Sequence, residues 1–203
     1  MIGVVSFGMG NIGSVCNALE HLGHTPLIAS APEDLDKADR IILPGVGAFP
    51  AAMTRLSTSG FLDALNDQVR EKGKPVLGIC LGMQLLAETG TEFGDCAGLG
   101  WISGRVEIIP RGSSDLRLPQ IGWNELVLKD NAQLFANIEG DTSCYFVHSY
   151  QLLPTDPSDI VATVDYGGPV TAAVQRDHIF GAQFHPEKSA RVGLAVLDNF
   201  AKV

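Results

Sequence analysis

No stretch of this chain has the length and apolarity of a membrane-spanning helix, and no charged n-region accompanies the apolar start Met1-Ile2-Gly3-Val4-Val5-Ser6. Neither membrane insertion nor a secretory signal is therefore indicated. Basic clusters are missing too: 14 Lys and Arg stand against 23 Asp and Glu, a formal net charge of −9. A surface of that sign argues against nucleic acid or anionic lipid as partner and favours small-molecule chemistry. The four cysteines (Cys16, Cys80, Cys96, Cys144) contain no C-x-x-C pair, which speaks against a disulfide framework and a structural zinc site. They are expected as reduced thiols in a cytoplasmic protein. No Pro/Gly/Ser-rich linker interrupts the 203 residues, so a single domain spanning 1–203 is expected.

What is present concentrates around Lys74-Pro75-Val76-Leu77-Gly78-Ile79-Cys80-Leu81-Gly82-Met83-Gln84. A short apolar run ends at a cysteine between two glycines, and an apolar helix-forming segment (Met83, Leu85, Leu86, Ala87) follows. The pattern reads as strand, sharp turn, helix, a thiol counterpart of the G-x-S-x-G nucleophile elbow. Gly78 and Gly82 leave space where side chains would collide. The following helix would favour thiolate with its positive end, and the free amide of Leu81 would face an oxyanion forming beside the sulfur. A lone buried cysteine is ordinarily an inert small hydrophobe; the paired glycines point instead to an exposed nucleophile.

Before the elbow, Ile2 to Phe7 is an apolar run followed by Gly8-Met9-Gly10-Asn11-Ile12-Gly13 and a helical pattern through Leu22, the opening of a βαβ unit. These glycines match G-x-G-x-x-G, but the acidic residue expected at the end of the second strand is replaced by Ser30 in Leu27-Ile28-Ala29-Ser30, which disfavours a dinucleotide site. A third strand, Asp39 to Leu43, runs into Pro44-Gly45-Val46-Gly47-Ala48-Phe49. Small residues after a parallel strand leave backbone N–H groups facing the sheet edge, where ligands of open α/β sheets gather. This loop is either a second oxyanion donor or an ordinary glycine turn.

After the elbow, helical patterning is expected first, then a polar, glycine-rich loop from Glu88 to Gly100 that contains Glu92. From Trp101 the texture changes to short strands, including Gly104 to Ile109, Asn124 to Leu128, Ser143 to Val147, Val161 to Val164, Val170 to Gln175 and Ile179 to Phe184. Arg176-Asp177-His178 reads as a tight turn, and Ala190 to Ala201 as a final amphipathic helix. The fold class is thus α/β, with a mostly parallel central sheet flanked by helices and an antiparallel β extension.

The second concentration of chemistry is Phe184-His185-Pro186-Glu187-Lys188-Ser189. Pro186 stiffens the link between His185 and Glu187 so that both side chains can face one way, the arrangement of a histidine base oriented by a carboxylate. A lone His-x-Glu is also common surface polarity, and it can ligate zinc, but no further clustered His or Cys supports a metal.

Taken together, Gly78 to Gln84, Phe184 to Ser189, Pro44 to Gly47 and Tyr145-Phe146-Val147-His148-Ser149-Tyr150 resemble class I (triad) glutamine amidotransferases, in order and over essentially the whole chain. Within that class the resemblance is to the glutaminase subunits of imidazole glycerol phosphate synthase: Met83 and Lys188 stand where relatives serving other pathways carry His and Ser. Gln120-Ile121-Gly122-Trp123-Asn124 is similar to a Met-Gly-Trp-Asn segment of these subunits, departing from it at Gln120-Ile121, and Ser6-Phe7-Gly8 stands where many members have Asp-Tyr-Gly. The resemblance implies a catalytic triad of Cys80, His185 and Glu187; oxyanion donors from Leu81 and the Val46-Gly47 region; and glutamine contacts from Gly47, Gln84 and Glu92. His148, Ser149 and Tyr150 would complete the pocket wall or pack beneath it.

It further implies that glutamine is the substrate, that no cofactor or metal is needed, and that ammonia passes to a separate (β/α)₈-barrel cyclase subunit, with Asn11, Trp123 and Lys188 at the interface. Two competing readings keep the fold: a cysteine peptidase using the same triad, and a noncatalytic interaction subunit.

Overall fold

Near-continuous apolar runs in the strands that carry the site dictate a sheet buried on both faces. In the computed structural model, which describes residues 1–111, 116–130 and 132–203, Ile42 and Leu77 face one hydrophobic cluster, while their chain neighbours Ile41, Leu43 and Val76 face another. A strand with successive side chains on opposite faces and both faces apolar needs helices above and below it.

The chain supplies them in sequence order. Strand β1 (Ile2–Val5) leads to helix α1 (Ile12–His21), β2 (Pro26–Ala29), a 3₁₀ turn and β3 (Arg40–Gly45). Helices α2 (Phe49–Thr58) and α3 (Phe61–Asn66) follow, separated by Gly60 with φ +77°. Then come β4 (Val76–Cys80) and α4 (Leu81–Leu85). The remainder is β5 (Ala87–Gly90), β6 (Cys96–Ala97), β7 (Ile102–Ile108), β8 (Gln120–Leu128), β9 (Ser143–His148), β10 (Tyr150–Pro154), β11 (Ile160–Asp165), β12 (Pro169–Arg176), β13 (Ile179–Ala182) and the closing helix α5 (Ala190–Lys202).

The main sheet has the order β2-β1-β3-β4-β13-β12-β11-β8-β9. Strands β2, β1, β3, β4 and β13 are parallel, and from β13 outward every pairing is antiparallel. The mixed architecture expected from the sequence is present, including the two-residue turn at Asp177 and His178 joining β12 to β13. Helices α1 and α5 cover one face with Val15, Leu19, Val196 and Phe200; α2 and α3 cover the other with Leu56, Phe61 and Leu65.

Two expectations fail between residues 81 and 100. The elbow helix stops at Leu85 rather than running through Ala87, and the segment read as loop carries β5 and β6. The cause is tertiary: the carbonyl oxygens of Leu85, Leu86 and Ala87 accept N–H groups of Leu99, Trp101, Ile102 and Gly100 from the returning chain. With those carbonyls occupied, the helix cannot continue. The outcome is a second, four-stranded sheet, ordered β10-β7-β5-β6. The chain crosses between sheets at Ser149, between β9 of the large sheet and β10 of the small one. That crossing brings residues 148–150 to the carboxyl ends of the parallel strands, next to Cys80.

Candidate active site

The site begins with a strained backbone. Cys80 closes β4 with φ +55° and ψ −110°, a conformation that costs roughly 1–3 kcal/mol for a non-glycine residue. Gly82 explains how the turn fits: a Cβ built there would lie 1.8 Å from the carbonyl oxygen of Leu43, and one at Gly78 would lie 2.5 Å from the oxygen of Gly82. Both glycines are therefore set by backbone against backbone, as the elbow reading expects. The thiol itself is not exposed. Cys80 is 7% exposed, at the wall of a cavity of about 350 Å³. Because α4 has only five residues, few aligned peptide dipoles stand behind the thiol, and its electrostatic support comes mainly from side chains.

The foremost of these is His185. Its Nδ1 lies 2.9 Å from Glu187 Oε1, and the two side chains are 3% and 1% exposed. An ionised carboxylate only accepts, so Nδ1 carries the proton and Nε2 is left for Cys80. Burial alone would lower the histidine's pKa. The Cys80 thiol and the Glu187 carboxylate outweigh burial and push it up to about 9, so the imidazolium is the stable form at neutral pH. Ser189 holds this segment in place: its Oγ donates to the His185 carbonyl at 2.7 Å and accepts the Tyr145 N–H at 2.9 Å. The His185 N–H in turn bonds to the Tyr145 carbonyl, and Phe184 packs against Phe146 with ring centroids 5.9 Å apart.

Opposite lies the loop after β3. Val46 and Gly47 are exposed to the cavity, and Gly47 has φ +111°, a backbone region reserved largely for glycine. The loop is anchored at its far end. Helix α2 has no side-chain cap from its own N-cap residue, Ala48; instead Glu92 Oε2 accepts the Phe49 N–H at 2.8 Å. Glu92 thus joins the cavity wall to the first turn of α2.

Gln84, Leu81, His148, Ser149 and Tyr150 complete the enclosure. Gln84 Nε2 donates to the Tyr150 carbonyl and to Gln183 Oε1, both at 3.0 Å. His148 Nδ1 lies 2.8 Å from the same Tyr150 carbonyl and must donate to it, leaving Nε2 as a buried acceptor without a partner among the described residues. Burial, with His185 nearby, lowers the pKa of His148 to about 4, the Tyr150 bond only partly offsetting it, so this ring is neutral where His185 is charged.

One cavity therefore gathers Val46, Gly47, Cys80, Leu81, Gln84, Glu92, His148, Ser149, Tyr150 and His185, with Glu187 behind His185. Asn11, Trp123 and Lys188 do not line it. Asn11 is half-buried just ahead of α1, Lys188 is exposed, and Trp123 is 55% exposed on β8 with its ring edge-on to Tyr145. Sequence reasoning assigned no role to Gln183, Pro119, Val147 or Ser189. For Gln183 a signal exists: it lies two residues before His185, hence on the same side of an extended segment. Pro119 carries no such local signal. Among the described residues no group of three or more His, Cys, Asp or Glu could hold a metal ion, and no helix is long and apolar enough to cross a membrane.

Comparison with known proteins agrees with this geometry. The family description "Glutamine amidotransferase class-I" matches residues 4–203. Imidazole glycerol phosphate synthase subunit HisH of Leptospira interrogans is 45% identical over 206 residues, covering 100% of both chains. A HisH subunit from Campylobacter jejuni is 44% identical over 203 residues, again with 100% coverage of each. Among solved structures, PurLQS from Thermotoga maritima superposes with a TM-score of 0.74 at 21% identity, covering 99% of this chain and 97% of that one, which is a likeness of fold. A cysteine elbow facing a histidine–glutamate pair, inside a family match that runs nearly end to end, leaves one assignment: the chain belongs to the class-I glutamine amidotransferases, alongside the HisH subunits of imidazole glycerol phosphate synthase.

Proposed function

We propose that this chain, read as one domain over residues 1–203 and residing in the cytoplasm, is the glutaminase subunit of an imidazole glycerol phosphate synthase acting in histidine biosynthesis. Ammonia from glutamine would pass to a (β/α)₈-barrel cyclase subunit that forms imidazole glycerol phosphate and AICAR. The observation that carries the reading is the placement of Cys80, at positive φ on a cavity wall, against the buried His185–Glu187 pair.

The chemistry follows from that placement. His185, oriented by Glu187, takes the proton of the Cys80 thiol. The thiolate adds to the side-chain amide carbon of glutamine, and the electron pair moves to the carbonyl oxygen. Leu81 N–H and an N–H of the Val46-Gly47 segment receive the oxyanion; losing one such donor costs about 2.7–4 kcal/mol. His185 gives its proton to the amide nitrogen, the C–N bond breaks, and ammonia leaves a glutamyl thioester. Water then gives a proton to His185 and adds to the thioester carbon; the C–S bond breaks, releasing glutamate and restoring the thiolate–imidazolium pair. Glu92, Gln84 and Gly47 present a carboxylate, an amide and a backbone to the polar head of glutamine. The exposed Trp123, with Ile121 beside it and Asn11 and Lys188, suits a docking surface.

The test is ammonia and glutamate production from glutamine by the chain alone, then with the cyclase subunit and its ribonucleotide ligand. Turnover that rises on adding both supports the reading. Cys80→Ser should abolish glutamine-dependent synthesis by the complex while ammonia-dependent synthesis persists. Loss of both activities, or peptide cleavage without glutamine turnover, overturns it.

A further inference from the structure

We propose that Gln183 is a catalytic residue whose side-chain amide donates to the sulfur of Cys80 and holds the thiolate, and that Gln84 is the positioning residue that keeps this amide correctly turned. The inference deepens the glutaminase reading and rests on Cys80 being its nucleophile.

Gln183 follows β13 and is completely buried. Its Nε2 lies 3.8 Å from Cys80 Sγ, within reach of an N–H···S bond. Which end of the amide faces the sulfur is decided by the neighbours. The Tyr150 carbonyl can only accept, so Gln84 must turn its nitrogen toward it. The second hydrogen on that nitrogen then meets Gln183 at 3.0 Å, and only the carbonyl oxygen of Gln183 can receive it. The nitrogen of Gln183 is left pointing at sulfur. A relay runs from the backbone of β10 through two glutamines to the nucleophile.

The effect on chemistry follows from charge. A hydrogen bond made to the charged form favours that form, so the amide supports thiolate over thiol. It also receives negative charge returning to sulfur when the thioester C–S bond breaks. It cannot replace His185, because an amide neither takes nor gives the proton. The titratable groups facing this end of the cavity are His185 with Glu187 behind it, His148 and Tyr150 at the sheet crossing, and Glu92 across the space; none changes in the test variants.

Gln183→Met keeps the length of the side chain without its donor. The rate of Cys80 alkylation by iodoacetamide, followed on the Cys80 peptide by mass spectrometry, should shift its pH midpoint upward by about one unit. In the assembled complex kcat should fall about tenfold with KM little changed. Gln84→Met, which leaves Gln183 present but untethered, should shift the midpoint in the same direction by less. An unchanged alkylation profile in Gln183→Met with a native melting temperature overturns the proposal. Should that variant fail to fold, Gln84→Met decides: a shifted midpoint supports the relay, and an unshifted one overturns it. Iodoacetamide requires no glutamine site, so failure of the glutaminase reading would show separately, as a wild-type chain that does not turn over glutamine.

Discussion

Replacing Gly82 with alanine tests the elbow most directly, because the obstacle is backbone. The added Cβ would lie 1.8 Å from Leu43 O and 2.9 Å from Leu43 C. An ordinary C···O contact is about 3.3 Å, so β3 and α4 must part by roughly 1.5 Å. Leu43 also pairs with Gly78, and Gly45 with Cys80, in the β3–β4 ladder. Weakening one or two of those hydrogen bonds costs about 1 kcal/mol each, and overpacking adds about 1–3 kcal/mol. The sum, about 2–5 kcal/mol, is a large part of the roughly 5–15 kcal/mol that stabilises a typical protein. For a chain of this size that corresponds to a melting temperature lower by roughly 4–20 °C.

Activity should suffer further, since Leu81 N–H moves with the turn and a misplacement of about 1 Å can cost about 100-fold. Calorimetry and a glutaminase assay of the complex measure the two effects separately. Gly13→Ala is the control: it lies in α1 with open space around it and should gain about 0.4–1 kcal/mol. A Gly82→Ala protein within about 1 kcal/mol of wild type and fully active refutes the close-approach argument.

Two further outcomes follow from burial. His148 titrates near pH 4 when folded against an ordinary 6.5; its folded pKa is depressed, so its contribution is complete above pH 6.5 and is lost as pH falls toward 4. That contribution is on the order of 3 kcal/mol. The stability difference between wild type and His148→Phe should therefore slope across pH 4 to 6.5 in denaturant titrations; a flat difference contradicts the assignment. Burial pushes the Cys144 thiol up to about 12, so Cys144 should resist alkylation at pH 8 until the chain unfolds while half-buried Cys96 reacts. Equal native rates at both sites would refute this.

Much of the site was legible because its determinants are local. The Gly78-Ile79-Cys80-Leu81-Gly82 turn needs small residues at set distances from the nucleophile, and Pro186 constrains the placement of His185 and Glu187. What no local pattern could show is that Glu92 also accepts the Phe49 N–H, 43 residues away. The segment after α4 was misread because carbonyls that would extend a helix are taken by a returning strand.

The sequence by itself determined the parallel α/β core, the nucleophile turn and the histidine–carboxylate pair, since side-chain periodicity and backbone preferences act over a few residues. Only the tertiary structure decided that His148 is neutral and His185 charged, that Trp123 stays outside the cavity, and that Gln183 reaches Cys80. Gln84 and Gln183 are 99 residues apart and meet only because β13 pairs with β4. Burial and hydrogen-bond partnership are set by which strands become neighbours, and strand order is a property of the whole packed chain.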